Sequence, residues 1–173
     1  MKIGFCGTMS VGKTTLVNAL KELPKFKDYK FATERSKYLN SLGVPLNTDS
    51  TLKGQLIFAA ERSAELLHKN IITDRTIIDV MSFNALSKSM SANESYFLNA
   101  TLQCLAHDYD YLFYVSPVGV EIEDNGVRET DADYRDQINK KIMDILDINN
   151  VDYITLQGTT EKRIETIKRT ILL

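Results

Sequence analysis

The chain of 173 residues sets 21 lysines and arginines against 23 aspartates and glutamates, a net charge of −2. That balance excludes a global basic field of the kind that gathers nucleic acid or anionic lipid, although a local basic groove stays possible. The length suits one domain able to bury roughly 70% of its unfolded surface. No apolar run is long enough for a membrane span, and Met1 leads straight into apolar sequence with no room for a signal peptide, so the reading is cytoplasmic.

Lys2 to Cys6 is predicted to be a buried strand, and Gly7-Thr8-Met9-Ser10-Val11-Gly12-Lys13-Thr14 follows at once. The stretch fits G-x-x-x-x-G-K-[ST] at every fixed position, and Thr15 to Leu20 continues as an amphipathic helix. The chemistry needs this order. Gly7 and Gly12 let the backbone wrap a polyphosphate closely, so that the N–H groups of Thr8, Met9, Ser10 and Val11 point inward. The helix start at Lys13, Thr14 and Thr15 adds unpaired N–H groups and the positive end of a dipole. Lys13 is expected to reach the outer phosphates, and the Thr14 hydroxyl to ligate Mg²⁺. Cys6, inside the strand, reads as a packing residue, and Cys6 and Cys104 together give neither metal spacing nor a disulfide framework.

Beyond Pro24 and a lysine-rich connection, Tyr29–Thr33 is a second short strand, and Glu34 starts a helix that Gly43 ends. A long helical pattern runs from Thr51 to Lys69, with Leu52, Leu56, Ala59, Ala60, Leu66 and Leu67 near one side. Asn70–Asp74 is a compact strand ending in an acid, and helical periodicity returns from Ile77 to Leu86. Ser91-Ala92-Asn93-Glu94 is a capping-box signature for a helix reaching about His107. Tyr111–Val115 is a strand apolar on both faces. A polar stretch around 117–135 then contains the turn signal Asp124-Asn125-Gly126 and reads as a lid-like segment. A helix over Ala132–Ile148, a strand over Asp152–Leu156 and a terminal helix carrying Ile164, Ile167 and Ile171 complete the chain. The alternation predicts a single α/β domain over 1–173 with a parallel sheet and right-handed crossovers, its ligands beyond the carboxyl ends of the strands.

Gly7, Glu34, Asp74 and the segment after Val115 all fall at that edge. Asp74 is placed to hold Mg²⁺ opposite Thr14, or else to cap the next helix. Arg75 puts a cation where ATP-driven motors carry a glutamate, which suits an anionic substrate or transferring group. Glu34 is placed to take a proton from an attacking hydroxyl, or else is an exposed first-turn acid. Gln55 and Arg62, seven apart, share a helix face and can present an amide and a guanidinium to one ligand, or form an ordinary polar stripe. Arg128 sits where an arginine can close over departing phosphates, and Arg135, one heptad on, can assist. His68 and His107 have no partners in the sequence and are assigned no role.

Taken together these motifs resemble the P-loop nucleoside and nucleotide kinases, and within them the ribosylnicotinamide kinase-like ATPases and kinases, many phage-encoded. The resemblance runs through GTMSVGKTT, Thr33-Glu34, Gln55 with Arg62, Ile72-Thr73-Asp74-Arg75, Asp124-Asn125-Gly126-Val127-Arg128, Tyr134-Arg135 and Tyr153-Ile154-Thr155-Leu156. Relatives commonly have an arginine where this chain has Lys37, with Arg35 nearby, and the Asp-Arg pair is closer to deoxynucleoside and thymidylate kinases. The resemblance implies a three-layer sandwich with five parallel strands in the order 2-3-1-4-5. It implies ATP with Mg²⁺, and catalytic roles for Lys13, Glu34, Asp74, Arg75 and Arg128. Glu34, Arg35, Gln55, Arg62 and Arg75 are the expected acceptor-binding set. ATP is favoured over GTP because Asn149-Asn150-Val151-Asp152 lacks the lysine of the guanine signature. A kinase of nucleosides or nucleoside monophosphates is the leading expectation; a nucleic-acid kinase and a P-loop ATPase switch are the rivals.

Overall fold

One or two helices follow each strand, and this order produces the expected sheet. In the computed structural model, which describes residues 1–33, 35–122 and 131–171, the strands are β1 (Lys2–Cys6), β2 (Lys30–Ala32), β3 (Ile71–Asp74), β4 (Tyr111–Val115) and β5 (Ile154–Leu156). They form one parallel sheet in the order β2-β3-β1-β4-β5. The helices are α1 (Lys13–Lys21), α2 (Ser36–Ser41), α3 (Leu52–Glu65), α4 (Ile77–Ala85), α5 (Ala92–Gln103), α6 (Ala132–Ile148) and α7 (Thr160–Thr170).

Because strand side chains alternate, each central strand feeds two cores. Ile3 and Phe5 of β1 and Phe113 and Val115 of β4 join Leu16, Val17 and Leu20 of α1 and Ile167 of α7 on one face. On the other face Cys6, Leu112 and Tyr114 meet Ile77, Ile78 and Met81 of α4, Leu98 and Leu102 of α5, and Ile138 and Ile142 of α6. This is a three-layer sandwich with β1 at its centre, and Cys6 is packing, as its position in the strand implied. The register sets Phe5 beside Asp74 and Cys6 beside Tyr114. The carboxyl ends of β1, β3 and β4 therefore open on one edge, and the chemistry-bearing residues collect there.

Some element ends differ from expectation. The last turns of α3 and α5 tighten into i→i−3 bonds, Leu67 N–H to the Ala64 carbonyl and Ala106 N–H to that of Gln103, so the helices stop at Glu65 and Gln103 rather than near Lys69 and His107. β2 and β5, the edge strands, are shorter than expected, and α2 begins at Ser36 rather than Glu34. Leu56 and Leu67 are exposed, whereas Gly54, Gln55, Ala59 and Arg62 are the buried residues of α3. The apolar spacing located Ala59 and Leu66 correctly but missed Gln55 and Arg62, because that part of the inner face lines a cleft rather than the core. Glu34 and residues 123–130, which include Arg128 and most of the expected lid-like segment, lie outside the described residues. Among those described, no helix is long and apolar enough to cross a membrane.

Candidate active site

The loop between β1 and α1 is pinned from both sides. Met9 belongs to one core and Val11 to the other, so consecutive odd residues anchor the loop while Ser10 and Gly12 turn it with φ of 58° and 89°. Gly7 has φ of 152°, and a Cβ there would lie 2.7 Å from the Val115 carbonyl oxygen. Only glycine lets β1 pass that close to β4 in this conformation. Met9, Ser10, Val11, Gly12, Lys13, Thr14 and Thr15 line an open cleft.

Lys13 is buried beneath this loop, and its ammonium donates to the carbonyls of Gly7 at 2.6 Å and Thr8 at 2.7 Å. Burial and then the nearby Arg75 lower its pKa to about 8, with Asp79 and Asp74 partly offsetting them. A cation held this reluctantly gains most from an arriving phosphate. The Thr14 hydroxyl donates to the Asp74 carboxylate. A hydroxyl and a carboxylate side by side on the cleft wall are hard oxygen donors of the kind Mg²⁺ takes, so the residues fit the expected metal. The alternative for Asp74, capping α4, is excluded because Asp79 does that work, accepting from the Thr76 N–H at 2.7 Å and hydroxyl at 2.9 Å.

Asp79 was not among the residues expected in the site. Its carboxylate, 1% exposed, also accepts the Gly7 N–H at 3.2 Å and lies 3.9 Å from the Arg75 guanidinium. One buried acid thus joins the first glycine of the phosphate loop, the start of α4 and the cation after β3. The pattern Thr76-x-x-Asp79 carries its capping role; the contact with Gly7 spans 72 positions and leaves no local signal.

Arg75 stands at a junction. It lines the phosphate-loop cleft and also a second cleft bounded by Arg35, Ser36, Leu46, Asn47, Gln55, Phe58, Arg62, Asp79, Val80 and Phe83. Its backbone has φ of 89°, unusual for a residue with a side chain, and its guanidinium lies over the Phe83 ring at 4.9 Å. Such backbone strain costs roughly 1–3 kcal/mol and collects where function fixes a geometry.

Of the expected acceptor set, Arg35, Gln55, Arg62 and Arg75 line this second cleft, and Glu34 lies outside the described residues. Gln55 and Arg62 share the buried face of α3, and both line it. Arg62 donates to the carbonyls of Asp74 at 3.3 Å and Arg75 at 3.4 Å and pairs with Glu65 at 2.7 Å. Burial pushes the Glu65 carboxyl up to about 7 against the opposing pull of Arg62. Arg35 pairs with Glu61 at 2.7 Å and lies over the Tyr38 ring. Arg135 is buried, donates to the Val120 carbonyl at 2.7 Å, and offers its own carbonyl to the Thr8 hydroxyl at 3.4 Å. Arg163 of α7 also escaped the sequence reading. It donates to the carbonyls of Val11 at 2.6 Å and Ser116 at 3.2 Å, bracing the phosphate loop from the far end of the chain.

Residues 2–163 match the protein family described as an AAA domain. The chain belongs to that family. Its fold is shared at low identity with solved structures that include nucleoside and nucleotide kinases. Deoxyadenosine kinase from M. mycoides with bound dATP superposes with a TM-score of 0.67 at 18% identity, covering 100% of both chains. Thymidylate kinase from Ehrlichia chaffeensis gives 0.63 at 19%, covering 98% of each. NadR protein in complex with NR gives 0.74 at 15%, covering 99% of this chain and 51% of that one. At these identities the likeness establishes the P-loop, kinase-like fold. No curated protein matches the chain by sequence.

Proposed function

We propose that this AAA-domain protein is an ATP-dependent phosphotransferase that moves the γ-phosphoryl group to a nucleoside or nucleoside monophosphate. The observation that carries this reading is the pair of clefts meeting at Arg75: one polar and built around the phosphate loop, the other lined by aromatic rings and an amide. Transfer of a phosphoryl group needs little covalent help from a protein, so catalysis rests on positioning and charge neutralisation. Lys13 and the loop amides hold the outer phosphates, and Arg75 neutralises charge at the boundary the phosphoryl group crosses. Thr14 and Asp74 would hold Mg²⁺, whose charge would offset that of the phosphates. Gln55, Phe58 and Phe83 give the second cleft an aromatic slot with one donor and one acceptor. The shared fold of kinases of deoxynucleosides and thymidylate supports the same reading. Glu34 remains the sequence's candidate for the base that accepts a hydroxyl proton, and Arg128 its candidate for a further phosphate-neutralising cation.

The test is product analysis with γ-labelled ATP, Mg²⁺ and a panel of nucleosides and nucleoside monophosphates. Label on a small molecule supports the reading. Label on an added oligonucleotide, or released only as free phosphate, contradicts it and favours a nucleic-acid kinase or an ATPase switch respectively.

A further inference from the structure

The second cleft holds three guanidinium groups, a number that at first suggests a phosphate-bearing acceptor. Each already has a carboxylate. Arg35 pairs with Glu61 and Arg62 with Glu65, both at 2.7 Å, and Arg75 lies 3.9 Å from Asp79. Arg35 also lies over Tyr38 and Arg75 over Phe83, and Arg62 donates to two backbone carbonyls although its Nε is buried without a hydrogen-bond partner among the described residues. The acids still have accepting capacity, since Glu61 Oε2 and Glu65 Oε2 are buried without a hydrogen-bond partner. Arginine sites that capture phosphate present unspent, convergent N–H groups. Here a dianionic group would have to displace a carboxylate and then sit beside it, and like charges brought together in a part-buried site repel strongly.

The rest of the lining is suited to an uncharged ring. Leu46, Phe58, Val80 and Phe83 supply apolar surface. Gln55, 3% exposed, lines the cleft. An amide offers one donor edge and one acceptor edge, the complement of a heterocyclic base.

We infer that the acceptor is a phosphate-free nucleoside rather than a nucleoside monophosphate, the paired acids of α3 and α4 serving to exclude a phosphate from this cleft. The inference rests on the kinase reading above and narrows it. The reaction is then attack by a sugar hydroxyl. Its oxygen bonds to the γ-phosphorus, the bridging P–O bond breaks, ADP leaves with the electron pair, and the hydroxyl proton passes to a carboxylate base.

Steady-state transfer from γ-labelled ATP tests it with matched pairs: the four 2′-deoxynucleosides, the ribonucleosides and nicotinamide riboside, each against its 5′-monophosphate. For the best pair the nucleoside should have the higher kcat/KM by about 10²-fold. In Glu61→Gln, where Arg35 is released, that ratio should move about tenfold toward the monophosphate. A monophosphate used as well as its nucleoside by the wild type overturns the inference and leaves the kinase reading intact. An unchanged ratio in Glu61→Gln overturns the role given to the paired acids. Label on neither member of any pair removes the kinase reading and this inference with it.

Discussion

The two clefts that share Arg75 are built on opposite electrostatic plans. In the phosphate-loop cleft, backbone does most of the work: the loop turns on Gly7, Ser10 and Gly12, and among the described residues Lys13 has only carbonyl oxygens as direct partners. In the second cleft, side chains do the work, and every cation has an acid at 3.9 Å or less. The first is poised for negative charge and the second is neutralised against it. The contrast teaches that counting arginines in a cleft says little about its ligand until their partners are known. Both clefts depend on Asp79, whose carboxylate touches Gly7 on one side and Arg75 on the other.

The sharpest way to break the contrast is to remove the lysine of the first cleft, which has no acid in direct contact among the described residues. Lys13→Ala should lower kcat/KM by at least about 10³-fold while leaving the far-UV circular dichroism and the cooperative thermal transition in place, because the ammonium contacts only the loop. Unfolding of this variant would show that Lys13 holds the structure rather than the nucleotide.

Asp79→Asn probes the element that joins the two clefts. The amide can still accept from Thr76, but its NH₂ group has no good partner at Gly7 and no charge to offer Arg75. Stability should fall by about 1–3 kcal/mol, and turnover by about 10–10²-fold through misplacement of loop and cation. Denaturant melts and kcat at saturating substrates check the two effects separately. A variant as stable as wild type would contradict the buried contacts.

A smaller effect comes from pH. Lys13 in the free protein titrates at about 8, and a bound phosphate favours its charged form. The complex therefore keeps a proton that the free protein loses above pH 8, and binding takes up that proton. Nucleotide affinity should be flat below about pH 8 and then fall by up to about tenfold per unit, measurable by calorimetry in buffers of different ionisation enthalpy. Affinity that instead rises above pH 8 would contradict the environment assigned to this lysine.

The same contrast explains what could be read from the sequence. The phosphate loop is a local device: glycines, lysine and threonine at fixed spacing specify backbone turns and a helix start, so Gly7 to Thr15 were legible in full. Strand order followed from the kinase resemblance, and the alternation of apolar segments supplied the elements. Gln55 and Arg62 were legible as one face of a helix, and apolar periodicity placed Ala59 and Leu66 inward correctly but Leu56 and Leu67 wrongly. Asp79 and Arg163 act through contacts spanning 72 and 152 positions, which no local pattern encodes. The pairing of Arg35 with Glu61 was hidden for the same reason, so the charge state of the second cleft came only from the fold.

The most direct test of the account is a single-turnover transfer assay on wild type and Arg75→Ala, run beside calorimetric nucleotide affinities. Arg75 is placed where the two clefts meet, so its loss should spare nucleotide binding to within about threefold and slow transfer to a nucleoside by about 10²-fold or more. Wild-type label appearing only as free phosphate, or undiminished transfer by Arg75→Ala, would contradict it.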